Sequence, residues 1–473
     1  VTHRAHRSGA GRALDTATTA TIHDCPTWPL TPSLIAHTVS TKQRCVYSVQ
    51  FREASGMGFG NSDWFTNDRF GMFIHWGLYA LPARHEWVKK REQITTEDYQ
   101  KYCDHFEPDL YDPTQWAADA KAAGMKYAVI TSKHHEGFCL WDSQLTDYKV
   151  TNTPIGRDLL KEWVEAFRAE GLKVGFYHSV IDWHHPAFAV DNIHPQSEDQ
   201  DFREREKERD QQKYADYLHG QTRELLTNYG KIDILWYDFT GPEKSKADWR
   251  SEDLVTMVRE LQPDIILNDR IGYPESADFV TPEQYQPKET PTRDGQKVVW
   301  EACQTLNGSW GYDRDNLDWK SPDLLVRLLI DSVAKGGNVL LNVGPTGRGE
   351  FDSRARASLA AIGEWTRLHG RAIYGAGPSE LDAPADCRFT QRGNRLYLHV
   401  FSWPFQHIHL EGFAGKVEYA QLLNDASEVK IREGDSHAVA QNTTSSGSEG
   451  ELVLTLPIQK PDVLVPVIEL YLK

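Results

Sequence analysis

From about residue 60 onward, short apolar runs alternate with amphipathic stretches of helical period. Phe70–Trp76 (FGMFIHW), Tyr127–Thr131 (YAVIT), Lys173–Val180 (KVGFYHSV), Ile232–Tyr237, Asp264–Leu267, Val298–Trp300 and Asn338–Asn342 read as strands. Their near-continuous apolar character predicts burial on both faces, as in a parallel sheet covered by helices. Between them, Trp116–Ala123 has apolar residues at helical spacing and stops before Gly124. Leu159, Leu160, Trp163, Val164 and Phe167 form one helical face, and Leu324, Leu325, Leu328, Leu329 and Val333 another. Repeated strand–helix units joined by right-handed crossovers predict an α/β fold, a (β/α)8-like (TIM) barrel with insertions. A doubly wound sheet is the alternative, but a Gly-rich phosphate loop would follow its first strand, and FGMFIHWG is not one. The mixed-charge run Ser197–Gln212 reads as a solvated helix face.

After Gly375 the period changes to two. RLYLHVF (395–401), HIHLEGF (407–413), ELVLTLP (451–457) and VLVPVIELYL (463–472) read as half-buried strands, with a turn-rich stretch at Asn442–Gly450. A C-terminal β-sandwich is predicted, packed against the barrel; glycan binding by it is the alternative role. The expected division is a leader at 1–58, a catalytic barrel at 59–374 and the sandwich at 375–473. Residues 1–58 begin with Val1, are rich in Thr, Arg, Ser and His, and show no sustained period. They read as a poorly ordered leader or as sequence upstream of a true start at Met57. No signal-peptide apolar segment is visible in them, which leaves a cytoplasmic or unassigned location.

Composition narrows the function. The 473 residues carry a net charge of −16, which disfavours a nucleic-acid partner, because phosphate binding relies on Lys and Arg. No run approaches the roughly 20 apolar residues of a membrane span. Six Cys without a C-x-x-C pair give neither a disulfide scaffold nor a zinc ribbon. The 15 Trp, 19 Tyr and 18 Phe suit stacking on sugar faces as well as core filling.

The polar residues gain meaning from their place on the strands. His75, His134 and His135, His178 and Asp182, Asp238, Asn268-Asp269-Arg270 and Glu301 are expected at the C-terminal ends of successive strands. In a parallel barrel those ends converge on the catalytic face. Structural readings compete: a hydrogen-bonded core His, a helix cap for Asp238, an ion pair for Arg270. The His residues match no H-E-x-x-H pattern, so no metal or other cofactor is expected. Carboxylates, His, Arg and Trp on one face suit glycoside hydrolysis, which needs two carboxyl groups and several hydroxyl ligands.

The motifs RFGMFIHWGLYALP (69–82), HEWV (85–88), SKHHEGFCLWDS (132–143), GFYHSVIDW (175–183), ILWYDFTG (234–241), ILNDR (266–270), WEACQTLNGSWGY (300–312) and KGGNVLLNVGPTGRG (335–349) together resemble the α-L-fucosidases of glycoside hydrolase family 29. The resemblance implies a barrel with a C-terminal β-sandwich, a fucosylated glycan as substrate, and retaining release of terminal α-L-fucose without a metal. It implies Asp238 as nucleophile. It implies His75, Glu86, Trp87, His134, His135, Tyr177, Trp236, Arg270 and Trp310 as sugar-binding residues. His178 stands where some relatives have Tyr. For the acid/base two residues compete, Glu283 in TPEQYQP and Glu301 in WEACQ. Glu283 is preferred, with Glu301 then a substrate-site residue that orients a partner. TPEQ lies in an insertion after the fifth strand and resembles the subfamily specific for α-1,3/1,4 linkages. The competing functions are a fucose-binding protein on an inactive barrel and a glycosidase for another sugar.

Overall fold

A computed structural model describes residues 59–239, 244–434 and 448–473; the segment 1–58 lies outside the described residues. Seven parallel strands form one curled sheet: β1 Phe70–Ile74, β2 Tyr127–Lys133, β3 Lys173–Ser179, β4 Ile234–Asp238, β5 Ile266–Leu267, β6 Glu301–Thr305 and β7 Asn338–Val343. Their order is β5-β4-β3-β2-β1-β7-β6. The chain from 278 to 284 closes the gap between the two ends. Asp278 N donates to Leu267 O at 2.8 Å, Val280 N to Val299 O at 3.0 Å, and Cys303 N to Pro282 O at 3.0 Å. Parallel bridges join Val280 to Trp300 and Glu283 to Cys303. The TPEQ stretch, expected as an insertion, is therefore an irregular eighth stave.

The side-chain period of two sorts residues between two layers. Phe73, Val129, Tyr177, Trp236, Ile266, Phe279, Cys303 and Leu340 pack together inside the barrel. Met72, Ile74, Ile130, Phe176, Leu235, Leu267 and Leu341 face the helices. Gly71 is small for a steric reason: a Cβ there would stand 2.2 Å from the Tyr127 ring. The covering helices are α1 Pro113–Ala122, α2 Leu159–Ala169, α3 Gln211–Asn228, α4 Ser251–Leu261, α5 Pro322–Ala334 and α6 Ser353–His369. Side-chain caps start several of them where the sequence offers them, with Asp112, Asp158 and Asp210 accepting from first-turn amides.

Two further expectations change. The Ser197–Gln212 run is not one helix face. A short helix spans Gln200–Glu206, and Asp210 then caps α3 afresh. The strand expected at Val298–Trp300 lies further on, at Glu301–Thr305, where five mostly polar residues are all buried. Apolar runs mark burial, whereas β6 is defined by backbone pairing to β7, which the run does not encode.

Beyond the barrel, β8 Cys387–Arg392, β9 Arg395–Val400, β10 His407–Leu410, β11 Val417–Leu422, β12 Lys430–Glu433, β13 Leu452–Thr455 and β14 Val467–Leu472 form two antiparallel sheets. Their orders are β8-β9-β14-β11 and β10-β13-β12. One core, including Phe389, Leu398, Ile408, Leu410, Leu454 and Ile468, is shared between them, which makes a β-sandwich. Most of the turn-rich stretch at Asn442–Gly450 lies outside the described residues. The sandwich meets the barrel through Trp365 Nε1 donating to Val465 O at 2.8 Å and Arg388 bonding Asp331 at 2.9 Å. Among the described residues, no helix is long and apolar enough to cross a membrane.

Candidate active site

The C-terminal ends of the strands converge on Asp238, the last residue of β4. Its carboxylate accepts from Tyr177 Oη at 2.8 Å and from Arg270 Nη1 at 3.0 Å, and His135 Nε2 stands 4.0 Å away. The same Arg270 nitrogen donates to Glu283 Oε2 at 2.6 Å. Those two Asp238 and Glu283 oxygens are therefore no further apart than the two bonds laid end to end. Arg270 is itself clamped. Its Nε donates to Thr281 Oγ1 at 2.9 Å, its Nη2 to Thr281 O at 3.0 Å, and its guanidinium lies 4.6 Å from the Trp236 ring centroid. Burial works against its charge, but Asp238, Cys303 and Glu283 together hold its pKa above the ordinary value. The side chain of Asp238 is 14% exposed and that of Glu283 40%, so Glu283 faces the open side.

A wall of rings completes the pocket. His75 follows β1, and His134 and His135 follow β2. The His134 ring lies 4.0 Å from that of His135 and 5.7 Å from those of His75 and Tyr177, centroid to centroid. Burial, aided by the neighbouring His134, drives the pKa values of His75 and His135 well below that of a free imidazole. Trp87 packs edge-on against His135, and Trp310 lies 5.1 Å from His75. Glu86 ties the loops together: its Oε2 accepts from the backbone amides of Trp310 and Gly311 at 3.1 and 2.8 Å. Burial pushes its carboxyl up to about 7, opposed by nearby His134. Among the described residues, no group of three or more His, Cys, Asp or Glu is arranged to hold a metal ion.

The pocket presents carboxylates, imidazoles and aromatic faces at one end of the barrel. A family model described as Alpha-L-fucosidase matches residues 34–371. The chain belongs to the alpha-L-fucosidase family. It is therefore a glycoside hydrolase, an α-L-fucosidase by family. Among solved structures, it is similar to alpha-L-fucosidase isoenzyme 1 from Paenibacillus thiaminolyticus, with 47% identity, a TM-score of 0.82, and coverage of 87% of this chain and 98% of that one. It is also similar to an alpha-L-fucosidase of Bacteroides thetaiotaomicron solved as a trapped covalent intermediate with 2-fluoro-fucosyl fluoride. That match has 28% identity, a TM-score of 0.75, and coverage of 89% and 98%. Tissue alpha-L-fucosidase of Bos taurus is 30% identical over 373 residues, 72% of this chain and 75% of its own length.

In this fucosidase the fold brings together Asp238, Glu283, His75, Glu86, Trp87, His134, His135, Tyr177, Trp236, Arg270 and Trp310. Glu301 is placed apart from them. It opens β6 rather than following a strand, in register with Asn338 at the start of β7. It thus sits on the barrel floor, fully buried, with Tyr127 Oη donating to its carboxyl group. The reason is the register shift above: once the strand begins at 301, that position moves from the mouth to the floor. His178 also faces away, its Nδ1 at 3.0 Å from Ser132 Oγ and its ring beside Trp141. Asp182 pairs with buried Lys133 at 3.2 Å, and Asn268 bonds both backbone polar groups of Tyr237, so both are structural. Sequence reasoning missed Thr281, Ser179, Asn342 and Phe239. Asn342 could have been found by the strand-end rule. Phe239 adopts φ +67, a costly left-handed conformation, and packs its ring on Trp87 and His135.

The floor position of Glu301 has a consequence for stability. Burial raises its carboxyl to about 8, a rise held back by Tyr127 and Trp236. The open chain ionises this group near its ordinary value of 4.5, while the fold keeps it protonated. Stability is therefore lost as pH rises between those values and then levels off. Glu301→Gln is expected to flatten this decline and to gain about 1–3 kcal/mol at pH 8 relative to wild type. Chemical unfolding at pH 5 and pH 8 checks it; equal pH sensitivity in variant and wild type would refute it.

Proposed function

We propose that the chain is a retaining exo-glycosidase that releases terminal α-L-fucose, with Asp238 as nucleophile and Glu283 as acid/base. The observation that carries this reading is the single Arg270 nitrogen bonded to both carboxylates. It bounds the gap between their bonded oxygens at about the 5–5.5 Å on which double displacement depends, short of the wider spacing that holds an intervening water. Asp238, held by Tyr177 and Arg270 deep in the pocket, attacks the anomeric carbon. Glu283, on the open side, protonates the departing oxygen and then deprotonates the incoming water. Trp87, Trp236 and Trp310 form the aromatic wall, and the three His and Glu86 meet the hydroxyls. The barrel at 59–374 carries this chemistry and the sandwich at 375–473 supports it by packing.

The substrates are α-1,3- and α-1,4-linked fucosyl groups in branched glycans. This rests on the TPEQ stretch, which sets the acid/base on the eighth stave. Its backbone is pinned by Gln284, whose side chain bonds Thr305 Oγ1 at 2.8 Å. A panel of α-1,2-, 1,3-, 1,4- and 1,6-linked oligosaccharides, followed by proton NMR of the first sugar released, tests both parts. Preferential cleavage of the 1,3 and 1,4 isomers is expected, with α-L-fucose appearing first. Preference for the 1,2 isomer would remove the linkage assignment, and initial β-L-fucose would remove the retaining mechanism.

A further inference from the structure

Two imidazoles of the pocket have their protons fixed by partners whose own hydrogen bonds are forced. Ser179 Oγ donates its one proton to the backbone carbonyl of Ile181 at 2.8 Å. A carbonyl can only accept. The Ser179 oxygen therefore turns lone pairs toward His135 Nδ1, 2.8 Å away, and that nitrogen must carry hydrogen. Asn342 is fixed in the same way. Its Nδ2 donates to the carbonyl of Trp310 at 2.6 Å, so its Oδ1 is the atom that faces His75 Nδ1 at 2.7 Å. His75 Nδ1 must then be a donor as well. In a neutral ring, each Nε2 is left bare.

We propose that Ser179 and Asn342 are positioning residues that lock His135 and His75 as hydrogen-bond acceptors, so that the pocket takes sugar hydroxyls as donors at both nitrogens. The inference rests on reading the pocket as the fucose site and deepens it.

The surroundings agree with neutral rings. His135 faces Lys133, His134 and His75, with the Asp238 carboxylate 4.0 Å from its Nε2; Trp87, Trp183 and Phe239 pack against its ring. His75 faces His134 and His85 among titratable groups, with Tyr177 and Trp310 against its ring. Positive neighbours and burial both disfavour an added proton. The arrangement also explains the 4.0 Å gap between His135 Nε2 and Asp238 Oδ2. Two acceptors face each other there, and neither can close the gap without a proton between them. A hydroxyl group supplies that proton; an ether or a methyl group cannot. With the alternative tautomer, His135 would donate straight to Asp238 and compete with its attack on the sugar.

Ring nitrogen-15 NMR of the histidines in the free, full-length enzyme tests the lock without turnover. Both His75 and His135 are expected as Nδ1–H tautomers. An Nε2–H tautomer or an imidazolium at either one at neutral pH overturns the proposal. Ser179→Ala is expected to lower kcat/KM about tenfold, the loss of roughly one hydrogen bond, and to shift the His135 ring toward the Nε2–H form. Ser179→Thr, which keeps the hydroxyl, is expected to restore both. A loss of activity with the tautomer unchanged would also overturn it. The proposed catalytic roles stand or fall separately, on variants at Asp238 and Glu283, so a failed lock and a failed mechanism are distinguishable.

Discussion

Replacing Asp238 with Ala is expected to abolish hydrolysis of an aryl α-L-fucoside, by about 10⁴-fold or more, while the barrel stays folded. Among the described residues its side chain is the acidic group that bonds both Tyr177 and Arg270, and it ends a strand whose backbone pairing with β3 does not depend on it. Removing it leaves the Arg270 charge facing a small cavity that a monovalent anion can enter. Added azide is therefore expected to restore part of the turnover of an activated fucoside, giving a fucosyl azide of β configuration, because the anion attacks from the face Asp238 occupied. Activity within tenfold of wild type would exclude Asp238 as nucleophile. A loss of cooperative unfolding would point to a structural role instead.

Glu283→Gln has a different signature. An acid is needed only when the departing oxygen is basic, so the loss should track the leaving group. Fucosyl oligosaccharides are expected to lose about 10²–10⁴-fold in kcat/KM, and aryl fucosides with strongly acidic phenols far less in the step that forms the intermediate. Rate constants across a series of aryl fucosides measure this: the plot against phenol acidity should be steep for Glu283→Gln and shallow for wild type. Glu301→Gln should show no such steepening, since Glu301 lies on the floor with Tyr127 and the start of β7 around it. Steepening there, with none at Glu283, would reverse the assignment.

The contrast between these two glutamates shows what a sequence does and does not contain. Each sits in a motif with a family counterpart. Glu283 is at the mouth because 278–284 pairs between β5 and β6 and closes the ring. Nothing in TPEQYQP has strand character, and its pairing partners lie on either side of it in the chain. Glu301 looked like a strand-end residue because VVW before it is apolar. Backbone pairing begins at 301 instead, and one strand length separates floor from mouth.

Local patterns were enough for the rest. Continuous apolar runs identified β1 to β5 and β7, since a strand covered on both faces is mostly apolar, while the polar β6 escaped that signal. The change to period two after Gly375 marked the sandwich, where alternate residues of each strand turn into the core shared by its two sheets. Polar residues just past YAVITSK, ILWY and DIIL brought His134, His135, Asp238 and Arg270 to one face, because parallel strands share an end. The amino-acid sequence alone therefore determined the fold class, the family, and nearly all the side chains around the pocket. Only the tertiary structure decided which glutamate shares Arg270 with Asp238 and which way Asn342 and Ser179 turn their hydrogens. Those depend on pairing register and on hydrogen bonds between segments far apart in the chain, which no local periodicity records.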